Sequence, residues 1–363
     1  MKNILIICNT YYQVIMALHF ANGLLMDSKV SLVISDHSKN AKLYAENARK
    51  LALFENVYYS ECRAFDYDSV DNLRKKFKLL FDSFLRLNKG HKALPNMAYD
   101  RIFYYNDTMS TRLFVRYQKK LNSNFICCRF EEGILSYNNT ISKLNVATKK
   151  RWKLIGLDDI AKYEKNMYCT YPELYKGPLE TVKIPLMDPY NAEFVNAVST
   201  IFGVEREKLS YPQKYIFFSS VLDFEGGEPV GELELAKKVA ELVGKENLLV
   251  KVHPRDDVKR FIEAGLTVDQ NSSVPWEAIQ LNYDFSKHVF ITVCSGSVLS
   301  ISSVIPNPPR TVFAYKLVNI AGNQCALNTV KTLDEFRSSL GDKIKLDFIE
   351  VAEKLEDIVK TVG

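Results

Sequence analysis

Leu248-Leu249-Val250-Lys251-Val252-His253-Pro254-Arg255-Asp256 is a short apolar run, rich in β-branched residues, that delivers a single histidine to the end of a strand. Pro254 has no N–H and a fixed φ, so it ends the strand and aims the ring. Near-continuous apolar runs of this length belong to parallel sheets buried on both faces. Open α/β sheets take their ligands outside the carboxyl ends of the strands. Two further runs end in the same manner: Arg129-Phe130-Glu131-Glu132-Gly133 on a carboxylate pair, and Val293-Cys294-Ser295-Gly296-Ser297 on a serine-rich turn. The expectation is that all three ends share one cleft.

Working outward, strands and helices alternate at the spacing of βαβ units. Strands are expected at Asn3–Cys8, Lys29–Ser35, Asn56–Ser60, Arg101–Tyr105 and Phe125–Phe130, with a helix after the first that Thr10 can cap. Asn191–Pro212 reads as a transition, after which strands recur at Tyr215–Val221, Leu248–His253, His288–Cys294 and Arg310–Tyr315. Helices fall at Gly231–Val243, Asp257–Ala264, Trp276–Leu281, Leu333–Leu340 and Phe348–Val362. The expected fold is α/β, two Rossmann-like domains (1–190 and 191–363) facing across a cleft, the GT-B arrangement of nucleotide-sugar transferases. No G-x-G-x-x-G follows the first strand and no G-x-x-x-x-G-K-[ST] occurs, which disfavours dinucleotide dehydrogenases and P-loop enzymes.

A chain of 363 residues is long for a single core. Its net charge of +5 is too weak to indicate nucleic acid but suits an anionic ligand or an acidic membrane surface. Seven cysteines show neither C-x-x-C nor metal-ligand spacing, and those in apolar runs read as buried thiols in a reducing compartment. The amino-terminal stretch is not read as a signal peptide, and no run of 18 apolar residues occurs. A cytoplasmic protein is expected, with peripheral contact at the inner membrane face and a homodimer left open. Asn72–Lys92 carries seven Lys/Arg and one acid around an apolar stripe. It reads either as a membrane-surface helix or, more often for charge runs, as a solvated helix face. A second basic stretch, Ile141–Lys165 around Trp152, reads either as the last face of the first domain or as a surface for an anionic partner.

The chemistry-bearing residues follow from the three strand ends. Histidine as a residue type ordinarily titrates near neutrality, so His253 is a candidate to protonate or hold a leaving phosphate oxygen, with Lys251 and Arg255 as cationic neighbours. Glu131 and Glu132 point to opposite faces of an extended strand, so one can serve as a base while the other braces the loop. Ser295 and Ser297 offer hydroxyls, and Ser219-Ser220 a weaker version of the same. Asp223-Phe224-Glu225-Gly226-Gly227-Glu228 offers competing carboxylates on what reads as a flexible loop. No His/Cys cluster or acidic pair of metal-binding pattern stands out, so no metal is expected.

An acidic pair with glycine, then His-Pro, then a serine motif, in that order, resembles bacterial sialyltransferases. The opening Cys8-Asn9-Thr10-Tyr11-Tyr12-Gln13 and the segment Lys251-Val252-His253-Pro254-Arg255 are similar to glycosyltransferase family 52, the lipooligosaccharide and capsule sialyltransferases. Val252 stands where that family usually has proline, and the serine motif has an intervening glycine. The resemblance implies inverting, metal-independent transfer of sialic acid from CMP-sialic acid to a galactose-containing glycan, with no cofactor. It implies an acceptor-side first domain and a CMP-binding second domain. His253 would be the general acid and Ser295 and Ser297 would help hold the CMP phosphate; the reading of the residues themselves adds Ser219, Lys251 and Pro254 to the donor site. Glu131 or Glu132 would be the base, with Asp223, Glu225 or Glu228 as alternatives. Another GT-B transferase, using a different nucleotide sugar or CDP-glycerol for a surface polymer, is the runner-up.

Overall fold

The computed structural model describes residues 1–63, 97–133, 136–137, 153, 156–157, 159–271, 274–340 and 346–360. The basic segment 72–92 and Trp152 lie outside the described residues. The chain forms two compact units: Met1–Glu132 with Asn139–Pro185 and Tyr190–Gly203, and Gly133–Asn138 with Leu186–Pro189 and Val204–Gly363.

The first unit contains β1 (Asn3–Cys8), β2 (Lys29–Ser35), β3 (Asn56–Ser60), β4 (Arg101–Tyr104), β5 (Ile126–Phe130), β6 (Glu164–Cys169) and β7 (Glu180–Lys183). They form one sheet in the order β3-β2-β1-β4-β5-β6-β7, with every neighbouring pair parallel. Among the described residues its helices are α1 (Tyr11–Ala21), α2 (Ala41–Ala48), α3 (Met109–Leu121) and α4 (Ala192–Phe202). Thr10 caps α1 as expected, accepting the Gln13 N–H at 3.3 Å.

α4 falls inside the stretch read as a transition, yet it belongs to the first unit. Asn191 caps it, Gly203 ends it with φ +69°, and Phe194, Val198, Ile201 and Phe202 are buried. It packs against α1 and α2, with the Phe202 ring 4.9 Å from that of Tyr44. Each large apolar side chain so buried contributes roughly 1.5–3 kcal/mol, which outweighs any signal from the surrounding turn residues.

The second unit contains β8 (Tyr215–Phe218), β9 (Leu248–Lys251), β10 (Thr267–Val268), β11 (Val289–Thr292), β12 (Arg310–Phe313) and β13 (Ile349–Val351). Its sheet is also all-parallel, in the order β10-β9-β8-β11-β12-β13. Helices α5 (Glu232–Val243), α6 (Val258–Glu263), α7 (Trp276–Asn282), α8 (Ser297–Ser300) and α9 (Gln324–Leu340) connect or flank it. Both units are thus doubly wound, with switch points between β1 and β4 and between β8 and β11.

Four strands carry little signal in sequence: β6, β7, β10 and β13. The helix expected at Phe348–Val362 is instead β13 followed by a short 3-10 turn, Leu355–Ile358. Its cause is tertiary. Arg310 reaches from β12 to the Glu350 carboxylate at 2.6 and 2.8 Å and to the carbonyls of Asp357 and Ile358. That cation draws the segment into an extended edge pairing. Among the described residues no helix is long and apolar enough to cross a membrane.

Candidate functional site

In the second unit, β9, β8 and β11 are sheet neighbours whose last residues are in register: Phe218 pairs with both Lys251 and Thr292. The turns that follow therefore leave the sheet together, bringing His253, Ser219-Ser220 and Ser295-Gly296-Ser297 to adjacent strand ends at the switch point. The Ser219 hydroxyl accepts the His253 N–H at 3.0 Å, and the Ser219 N–H donates to the Lys251 carbonyl at 3.1 Å. The Ser295 N–H donates to Thr292 Oγ1 at 3.0 Å, and the Ser295 and Ser297 hydroxyls meet at 2.8 Å.

His253 is half-buried, and its Nδ1 accepts the Arg255 N–H at 3.1 Å. In the neutral ring the proton then sits on Nε2, which becomes a hydrogen-bond donor. Burial lowers the imidazole pKa, and the nearby Arg255 charge adds to this against the opposing pull of Asp256 and Glu225. The ring is therefore set up as a neutral Nε2–H donor, whereas the general-acid role implied by the family resemblance calls for an imidazolium.

The His253–Asp256 turn is braced from below. Arg260 pairs with Asp223 at 2.6 Å and Asp256 at 2.7 Å, all three side chains being largely buried. Asp223 also accepts the N–H groups of Gly231 (2.7 Å) and Glu232 (3.1 Å) at the start of α5. Glu232 is fully buried and accepts both the N–H and the hydroxyl of Ser220. Burial pushes its carboxyl up to about 7, helped by the Asp223 charge and opposed by Ser220.

Lys251 turns its ammonium to the buried Asp269 at 2.8 Å, so its charge is already matched there. Glu225 pairs with Arg255 at 2.7 Å on the surface. Pro254 occupies the turn between His253 and Arg255. The loop from Asp223 to Glu228 is anchored rather than hinged. Buried Asn323 donates to the carbonyls of Leu222, Glu225 and Glu228, and Gly227 (φ +130°) lies so close that a Cβ would stand 2.2 Å from the Gly322 carbonyl oxygen. The glycine pair there serves a close backbone approach.

In the first unit the carboxylate pair divides. Glu131 is 1 % exposed and accepts both the N–H (3.0 Å) and the hydroxyl of Thr170, beyond β6. Its charge helps burial push the Cys169 thiol and the Tyr171 phenol up to about 12. Glu132 is half-buried and accepts the hydroxyl proton of Thr10, the α1 cap. Gly133 follows with φ +69°, the turn expected there. At the β1/β4 switch point, Asn9 and Gln13 meet Asn106, with Gln13 Nε2 donating to Asn106 Oδ1 at 2.8 Å. Among the described residues one group could hold a metal ion, Asp36, His37 and Cys62. Asp36 and His37 are adjacent but Cys62 lies 25 residues beyond His37, and no spacing rule brings the three together.

Sequence reasoning did not single out Glu232, Arg260, Thr170 or Asn323. Three of these lie within or beside helices, where a polar residue reads as a solvated face; Thr170 follows a strand that carries little signal.

No family model and no curated protein sequence matches the chain. The chain is similar in structure to an α/β-galactoside α-2,3-sialyltransferase from Photobacterium phosphoreum, at 11 % identity and TM-score 0.50, covering 98 % of this chain and 99 % of that one. It is similar also to the glycotransferase of kitacinnamycin, at 11 % identity and TM-score 0.50, covering 99 % and 87 %. The fold of this chain, two doubly wound parallel sheets in succession, is the GT-B type.

Proposed function

We propose that this protein is a GT-B glycosyltransferase that moves sialic acid from CMP-sialic acid to a galactose-containing glycan, with inversion and without a metal. The observation that carries this reading is the presentation of His253, with its backbone N–H on Ser219, its Nδ1 on the Arg255 N–H and its Nε2–H free of that duty, at the same end of the sheet as the Ser295 and Ser297 hydroxyls, which follow the strand on the other side of β8. Such a set of neutral donors suits an anionic leaving group. As the acceptor oxygen bonds to the anomeric carbon, the bond to the CMP phosphate breaks and its electron pair stays on the phosphate oxygen. His253 Nε2–H and the serine hydroxyls stabilise that charge. Glu132 takes the acceptor hydroxyl proton in exchange for the Thr10 hydroxyl, since it is half-buried whereas Glu131 is fully buried on Thr170. The likeness to a sialyltransferase fold and the motif order resembling family 52 both support this donor class.

The test is CMP release from CMP-sialic acid with a galactose-terminated acceptor in EDTA, for the wild type and His253→Ala. Turnover that survives EDTA and falls about 10²- to 10³-fold in the variant supports the reading. Absence of turnover together with absence of CMP binding by calorimetry sinks it.

A further inference from the structure

Asp36 and His37 directly follow β2, and Cys62 lies just beyond β3. Parallel register pairs Ser35 with Ser60, and the Asp36 N–H donates to the Ser60 carbonyl at 3.0 Å, so the two segments leave the sheet side by side. Asp36 Oδ1 then accepts the N–H groups of Cys62 (2.8 Å) and Arg63 (2.6 Å), which folds the cysteine segment back over the carboxylate. A carboxylate oxygen, an imidazole nitrogen and a thiol thereby come within 4.8 Å of one another.

The spacing fits one small ion. Cys62 Sγ lies 3.8 Å from His37 Nδ1. Sulfur and nitrogen bound to one tetrahedral zinc at about 2.3 and 2.1 Å stand about 3.6 Å apart. Hydrogen bonds already hold the imidazole and the carboxylate in place beside the thiol. The Ser35 hydroxyl donates to Asn9 Oδ1 at 2.7 Å and so accepts a His37 Nδ1–H at 2.9 Å; ligation through Nδ1 moves that proton to Nε2 and exchanges Ser35 for the ion, while the N–H groups of Cys62 and Arg63 hold Asp36 Oδ1 and leave its second oxygen for the ion. A second observation comes from Ser60, whose fully buried hydroxyl has no hydrogen-bond partner. Register places Ser60 on the same sheet face as Ser35. An orphaned hydroxyl at the strand end from which these segments leave the sheet marks a polar spot that the protein alone does not satisfy.

We infer that Asp36, His37 and Cys62 form a binding site for a borderline-soft divalent cation, of which zinc is the occupant. A thiolate with an imidazole selects zinc over magnesium or calcium, and three protein ligands leave a fourth position for water. Cys62 is buried while Asp36 and His37 are half-buried, so the ion is reached from one side. On binding, the Cys62 thiol gives its proton to solvent, and thiolate and carboxylate together balance the charge of the ion. The site ties the end of β2 to that of β3. It does not depend on the transfer reaction proposed above.

The experiment uses the untagged full-length protein, reduced, stripped with a chelator and titrated with Co²⁺ as a spectroscopic substitute for zinc. Saturation at a single equivalent is expected, with tetrahedral d–d bands and a cysteinate-to-cobalt charge-transfer band, both removed by Zn²⁺. Cys62→Ser should lose the charge-transfer band, and Cys325→Ser, which alters the exposed cysteine, should keep it. His37→Ala should weaken Co²⁺ binding by at least the about 10- to 100-fold typical of losing an outer partner. Wild-type protein without a charge-transfer band overturns the site whatever the variants do. So does a band that persists in Cys62→Ser.

Discussion

His253 Nδ1 accepts the N–H of Arg255, two residues along its own chain, at 3.1 Å. The bond decides which nitrogen of the ring carries the proton in its neutral form. Protonating Nδ1 would break it and add a cation beside the Arg255 charge, so the neutral ring is favoured. By NMR, His253 is expected to titrate below its ordinary 6.5 with the Nε2–H tautomer above the midpoint. The depressed value means stability is fully present above 6.5 and declines as pH falls toward the folded-state midpoint. A midpoint above 6.5 would contradict the geometry.

Glu131 and Glu132 are neighbours with different duties, and isosteric changes separate them. Glu132→Gln should lower kcat by about 10²- to 10⁴-fold with little change in melting temperature, because it removes a base. Glu131→Gln should act mainly on stability, costing about 1–3 kcal/mol, because a buried acceptor of the Thr170 N–H and hydroxyl is weakened. Steady-state kinetics and urea denaturation on both variants check the division, and a reversed pattern would exchange the roles.

Glu232 gives the second unit a pH dependence of the opposite sense. Its carboxyl is raised from 4.5 to about 7, so the folded state holds a proton the unfolded state has lost between those values. Stability from this group is therefore largest below 4.5 and falls as pH rises to about 7, by on the order of 3 kcal/mol. Glu232→Gln should flatten that slope and match or exceed the wild type at pH 8, read from melting curves across pH.

Arg260 bridges two largely buried carboxylates, so its loss leaves both uncompensated. Arg260→Ala should destabilise by about 3–5 kcal/mol. Arg260→Lys should recover only part of this, since an ammonium cannot present the same fork to Asp223 and Asp256. Urea midpoints provide the measurement, and an Arg260→Ala midpoint equal to wild type would remove the brace from the account.

Gly227→Ala places a methyl 2.2 Å from the Gly322 carbonyl oxygen at φ +130°, so backbone must move. A loss of about 2 kcal/mol or more is expected. Gly203→Ala, at φ +69° with open space around it, should cost about 1 kcal/mol. Equal effects would mean that the Asn323 anchor yields.

By itself the sequence determined the elements whose character is local. Asn3–Cys8, Lys29–Ser35 and Asn56–Ser60 are legible as strands because their apolar runs are continuous, and Thr10 as a cap because its hydroxyl acts within one turn. The arrival of His253 and the serine turns at strand ends was legible for the same reason. What only the tertiary structure decided depends on partners far along the chain. Arg310 holds Glu350 in a strand where local pattern reads helix. Asp269 takes the charge of Lys251, and Thr170 distinguishes Glu131 from Glu132. The Asp36–His37–Cys62 group arises from the register of β2 on β3. Hydrophobic periodicity reports which face a residue buries, but the partner of a polar group is set by which strands become neighbours.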